Sequence, residues 1–166
     1  MGRFVNPGSS AFQTALNSEI YVDKTGLIEY TNRVLGTTDA YICNSRPRRF
    51  GKSYAANMLA AYYSKGAKAE EMFSNLEIGK SADFRKHLNQ YDVIHIDIQW
   101  FLTNCRDTVQ IVNFITQSVL KELRELYPGV FLTEEESLPE ALSIIREKLG
   151  YKFVVIIDEW DILFRD

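Results

Sequence analysis

With 166 residues, 46% of them hydrophobic and 13% aromatic, the chain has the length and apolar content of one folded domain, which excludes a disordered or fibrous protein. A net charge of -3 excludes global electrostatic recruitment to nucleic acid or to an anionic membrane, so any such binding must come from a local patch. The 2 cysteines, Cys43 and Cys105, stand far apart without C-x-x-C spacing, which excludes a disulfide framework or zinc site and fits a reducing, cytoplasmic setting.

The opening "MGRFVNPGSSAF" has no continuous apolar stretch and reads as neither a signal peptide nor an anchor. Its Met-Gly start lacks the Ser or Thr that myristoylation requires. No run approaches the length of a membrane helix. Residues 1–36 read as an N-terminal extension with one helix over 26–35, and residues 37–166 as the core. In "YVDKT" (21–25), Asp23 and Lys24 precede that helix. They are either a capping Asp beside a solvated Lys, or neighbours of a nucleotide's base or ribose.

"YICNS" (41–45) predicts the first strand and buries Cys43. A helix rich in Ala, Leu, Met and Tyr follows over 53–64 and ends near Gly66, and a shorter one is predicted over 81–90. "VIHIDIQ" (93–99) predicts the second strand, with His95 and Asp97 on one face. Such a His is ordinarily a satisfied buried residue, and without a third ligand no metal is assigned. Val112, Ile115, Val119, Leu123 and Leu126 recur at three- and four-residue steps, predicting a long amphipathic helix over 107–126 stopped by Pro128-Gly129. Ser137 and Glu140 form a capping box for a helix that buries Ala141, Leu142, Ile145 and Leu149 and stops at Gly150. "FVVIIDE" (153–159) is apolar almost throughout, as in a strand buried on both faces of a parallel sheet. The alternation predicts an α/β fold with a parallel sheet and flanking helices.

Between the first strand and its helix lies "SRPRRFGKSYA" (45–55), close to G-x-x-x-x-G-K-[ST] but with Arg46 in the first glycine's place. A phosphate-binding loop works by converging backbone amides on an anion at a helix N-terminus. Gly51 permits close approach, Lys52 reaches the β- and γ-phosphates, and the Ser53 hydroxyl ligates Mg2+. Pro47 removes one amide from the cradle, a loss that arginine side chains can offset. The later "IIDEWD" (156–161) supplies the partner motif: Asp158 for the metal, directly or through water, and Glu159 for the attacking water. Both motifs fall at strand C-termini, where open α/β sheets bind ligands. Together they predict ATP or GTP binding along Arg46, Pro47, Arg48, Arg49, Phe50, Gly51, Lys52, Ser53 and Tyr54. The bland alternatives are a basic surface turn and an N-capping Asp158. Arg46, Arg48 and Arg49 would also suit nucleic-acid phosphates.

"YVDKT", "SRPRRFGKS", "LEI" (76–78) and "IIDEWD" in this order resemble the AAA-ATPase-like family of predicted bacterial and archaeal P-loop ATPases. The resemblance spans nearly the whole chain and makes Arg46 the family's own variant of the loop. It implies a P-loop NTPase core and Mg2+-dependent ATP hydrolysis, with Lys52 and Ser53 on phosphate and metal and Asp158 and Glu159 on metal and water. Trp160 stands where the family more often has Tyr. Members often continue into a restriction-endonuclease-like nuclease domain, and a further strand lies between the loop strand and the Asp-Glu strand. Here 7 residues follow Glu159, so the expectation is an N-terminal portion truncated before that strand, with weak or no turnover. The exposed sheet edge would invite self-association, and nucleic acid would be met only in a longer context. The alternative is a non-hydrolysing nucleotide- or partner-binding module.

Overall fold

The computed structural model describes residues 2–45, 51–103, 105, 108–130, 137–150 and 152–164. In chain order, α1 (Ser10–Leu16) and α2 (Gly26–Val34) precede α3 (Lys52–Tyr63), and the single-turn helices α4 (Glu70–Phe73) and α5 (Phe84–His87) follow. Strand β1 (Asp92–Asp97) runs into α6 (Ile98–Leu102), then α7 (Thr108–Leu126) and α8 (Leu138–Leu149) return the chain to β2 (Phe153–Asp158). β1 and β2 pair in parallel, from Asp92 opposite Phe153 to Asp97 opposite Asp158. Parallel neighbours need such a long crossover because a tight turn cannot reverse the chain twice.

Strand alternation sends side chains to two cores. On one face Val93, Val154 and Ile156 pack with Phe12, Ile28, Met58, Phe73 and the inner side of α3. On the other, Ile94, Ile96 and Phe153 pack with Phe4, Phe101, Ile111, Val119, Leu123 and Ile145. Helices on both faces of a parallel sheet are the α/β arrangement that the alternation of elements implied.

Helix α3 lies at the centre and is apolar nearly all round, as a helix enclosed by neighbours must be. Its last two residues, Tyr62 and Tyr63, are buried with both hydroxyls bonded. Tyr62 donates to the Phe84 carbonyl at 2.7 Å and accepts from the Asn32 amide at 3.1 Å. Tyr63 donates to the Asn32 side-chain oxygen at 2.7 Å and meets the Thr31 hydroxyl at 2.6 Å. Burial pushes the Tyr63 hydroxyl far above its ordinary range, so it stays protonated and able to donate.

Two expectations are corrected. Residues 41–45 form no strand: Tyr41 is 96% exposed, and Cys43 is exposed where it was expected to be buried. A strand exists by pairing, and among the described residues the edge of β2 facing this segment has no partner to pair with. β2 is also not buried on both faces, since Val155 is 50% and Ile157 51% exposed. The second core covers Phe153 and stops short of these two.

Smaller differences have local causes. The helix expected over 81–90 is reduced to α5, which ends where Leu88 turns extended, ahead of a left-handed Asn89 (φ 54). Its amide nitrogen then donates to the carbonyls of Ala61, Tyr62 and Ser64, closing the end of α3. β1 ends at Asp97 because that carboxylate accepts from the amides of Gln99 (2.9 Å) and Trp100 (3.4 Å), which starts α6 instead. The long helix was expected from Asp107, which lies outside the described residues, and runs from Thr108 to Leu126. The capping box at Ser137 and the left-handed Gly150 at the end of α8 are both present.

The outer edge of β1 is closed by the N-terminal segment. Asn6 donates to the Val93 carbonyl at 2.7 Å, and His95 to the Phe4 carbonyl at 2.8 Å. Glu122 of α7 accepts from the amides of Arg3, Phe4 and Val5. Beneath them Asp92, 1% exposed, joins three elements. It accepts from Asn6 at 2.8 Å, Lys65 at 2.8 Å and the Tyr127 hydroxyl at 2.6 Å.

Candidate functional site

Gly51 caps the start of α3 in a left-handed conformation, φ 76, that only glycine adopts at little cost. A Cβ there would also fall 2.6 Å from the Lys24 ammonium, so a side chain at residue 51 would push that cation aside. The first turn of α3 carries Lys52 and no acidic residue. A cation at a helix N-terminus opposes the helix dipole. That arrangement suits an anion held from outside.

β2 delivers the second half of the site. Asp158 is buried at the strand's end and accepts from the Glu159 amide at 3.0 Å. Glu159 itself is left-handed, φ 55, where a residue with a side chain is strained by about 1–2 kcal/mol. Strain of this kind, at a strand end beside a cleft, is a feature that binding sites often carry. Lys52, Asp158, Glu159 and Asp161 line one cavity of about 540 Å3. α2 through Leu27, Thr31 and Val34, α3 and residues 42–44 also line it, facing the edge of β2 that is unpaired among the described residues.

The structure therefore brings Lys52, Asp158 and Glu159 together. Ser53 is exposed at the head of α3, and Tyr54, 59% exposed, faces a different cavity together with Gly51. Arg46, Pro47, Arg48, Arg49 and Phe50 lie outside the described residues. The Ser53 hydroxyl and the Asp158 carboxylate are hard oxygen donors, the set that Mg2+ prefers when phosphates and water complete its shell. Among the described residues no three His, Cys, Asp or Glu side chains are placed to hold a metal by themselves.

Asp97 and His95 gain meaning from the register. Asp97 stands opposite Asp158 at the ends of adjacent parallel strands, so two carboxylates share the C-terminal rim of the sheet. One rung back, the Nε2 atom of His95 is buried with no hydrogen-bond partner among the described residues. Burial pushes the His95 pKa down, and the nearby charges of Asp158 and Asp97 oppose that shift only in part. Asp161 was not foreseen as part of the cavity; its spacing three residues after Asp158 was the available signal.

"YVDKT" is tied to the fold rather than to a helix cap. Asp23 accepts from the Thr25 amide (2.8 Å) and hydroxyl (2.7 Å) and from the Glu77 amide (2.8 Å). The fully buried Thr25 accepts in turn from the Ile78 amide at 3.1 Å. Partial burial raises the Asp23 pKa, but the bonds from Thr25 and Glu77 and the charge of Lys80 outweigh it and leave the carboxyl below its usual 3.8. A carboxylate with a depressed folded pKa stabilises the fold above the unfolded value and loses that contribution as pH falls through the folded one. Below about pH 4 the wild type should therefore lose stability faster than Asp23→Asn does, as read from urea midpoints at stepped pH.

No described helix is long and apolar enough to cross a membrane. No curated protein and no solved structure gives a significant match to the chain. A family model described as predicted AAA-ATPase matches residues 8–166. With Lys52 at the head of the central helix and Asp158-Glu159 at the strand end across one cleft, the chain belongs to the predicted AAA-ATPase family.

Proposed function

We propose that the chain is a P-loop NTPase core that binds Mg2+-ATP and hydrolyses the γ-phosphate bond. The observation that carries this reading is the shared cavity, which holds Lys52 from α3 together with Asp158 and Glu159 from β2. Phosphoryl transfer asks little covalent chemistry of a protein and a great deal of positioning and charge compensation. Lys52 would sit against the terminal phosphates at the positive end of the α3 dipole. Ser53 and Asp158 would hold Mg2+, which when bound neutralises charge on the phosphate oxygens. Glu159 would orient the attacking water and take its proton, held toward the cavity by its left-handed backbone. The arginines of the loop would add side-chain donors where Pro47 supplies no amide.

Calorimetry with ATP and Mg2+ on wild type and Lys52→Ala tests the assignment. Losing a charge-assisted contact should cost about 1.5–3 kcal/mol of binding. Equal affinities for the two proteins would remove Lys52 from the site.

A further inference from the structure

Alternation along β1 sends Val93, His95 and Asp97 to one face, the face on which Val93 joins the core around α3. The register sets Ile156 opposite His95 and Asp158 opposite Asp97. His95 therefore lies in the layer between the sheet and α3, one step of about 6.6 Å below the rung that joins Asp97 and Asp158. Its Nε2 atom is buried without a hydrogen-bond partner among the described residues. The charges of Asp158 and Asp97 both reach the ring. A buried polar atom left unpaired is a net cost to folding. An apolar ring of the same size would serve the packing of that layer as well.

The two carboxylates differ in what they need. Asp97 is exposed, accepts from the amides of Gln99 and Trp100 through Oδ1, and is not a wall of the cavity that holds Lys52. Asp158 is buried and does line that cavity. Its one bond among the described residues comes from the amide of its own neighbour, Glu159, also on Oδ1. A carboxylate can accept about four hydrogen bonds, so Asp158 has capacity left for both a donor and a cation.

We infer that His95 is the positioning residue of the Asp158 carboxylate, its Nε2–H donating to Asp158 from below when Asp158 turns to a cation at the phosphates. The inference rests on reading Asp158 as a Mg2+ residue. The bond fixes the imidazole in its Nε2–H tautomer and limits the directions the carboxylate can face, so less freedom is lost when it takes a metal. His95 touches neither the nucleotide nor the reacting atoms and acts through Asp158. Partners of this kind, one step behind a ligand, change metal affinity by about 10–100-fold.

The test is calorimetry of ATP with Mg2+ and again in EDTA, on wild type, His95→Phe and His95→Gln, with melting curves of each protein in EDTA alone. His95→Phe keeps a ring and removes the donor, and His95→Leu replaces it if the phenyl ring disturbs folding. Glutamine keeps an N–H at similar reach. The affinity for ATP that Mg2+ adds should fall about 10–100-fold in His95→Phe and return toward wild type in His95→Gln, with affinity in EDTA equal in all three. Without metal, His95→Phe should melt no lower than wild type, because it leaves no buried nitrogen unpaired. An undiminished Mg2+ effect in His95→Phe, or one that glutamine does not restore, overturns the role of His95 and leaves Asp158 in place. So does a His95→Phe protein that melts lower and loses ATP equally with and without Mg2+, the behaviour of a histidine that only fills the core. ATP affinity in wild type that ignores Mg2+ removes Asp158 from the metal, and the inference with it.

Discussion

Glu159→Gly is expected to raise the melting temperature while lowering ATP turnover by about 10²–10⁴-fold, the usual loss when a general base is removed. The stability gain follows from the left-handed backbone at φ 55, which glycine adopts without the strain a side chain suffers there. Glu159→Ala separates the two effects. It removes the carboxylate but keeps the strain, so it should match the glycine variant in turnover and melt lower, by an amount equivalent to about 1 kcal/mol. Glu159→Gln completes the series by keeping size and strain while removing the base. Trapped ATP in the glutamine variant, seen as slow nucleotide release, would distinguish an ATPase from a module that only binds. A glycine variant that melts no higher than the alanine one would show that the backbone at residue 159 is not strained.

The largest loss of stability is expected at Asp92. Its carboxylate, 1% exposed, gathers Asn6, Lys65 and Tyr127 from three separate parts of the chain. Asp92→Ala would leave Asn6, itself only 5% exposed, with its side-chain amide stranded. Asn6 also holds the N-terminal segment on β1, since its side-chain oxygen accepts from the Val93 amide at 2.8 Å. The expected cost is about 3 kcal/mol, because removing one partner of a buried, charge-assisted cluster leaves the others unsatisfied. Urea unfolding measures it: the midpoint should fall with the slope unchanged. Glu122→Ala offers a contrast: of the three amides it would release, that of Arg3 is exposed and only those of Phe4 and Val5 are part-buried, and no buried side chain is stranded, so its cost should be smaller.

Features governed by local rules could be read from the sequence. The capping box at Ser137, the three- and four-residue periodicity of α7 and the stop at Gly150 all follow from interactions within a few residues. The place of Lys52 at the head of a helix and of Asp158 at a strand's end was legible for a similar reason, since loop-then-helix and strand-then-acid orders are local patterns. What failed depended on distant neighbours. "YICNS" has the composition of a strand, but whether it becomes one is decided by the edge beside it, and β2 offers an edge that is unpaired among the described residues, across a cleft. "FVVIID" is apolar enough for two covered faces, yet only helix placement decides how far the cover extends along Val155 and Ile157. The short α1 lacked any distinguishing periodicity. The opposition of Asp97 to Asp158 and the seat of Lys24 against Gly51 come from register and tertiary approach, which a linear pattern does not encode.

The tie between "YVDKT" and residues 77–78 is asymmetric in a way that bears on descent. Asp23 and Thr25 contribute side-chain oxygens, whereas Glu77 and Ile78 contribute only backbone amides to the tie. Any residue but proline offers that amide, so substitution at position 77 leaves the joint intact. Positions 23 and 25 have no such latitude, because few side chains present an acceptor at that reach. Selection can rewrite position 77 while positions 23 and 25 stay fixed, and drift should be concentrated there, since Ile78, the other main-chain donor, is held by its place in the core.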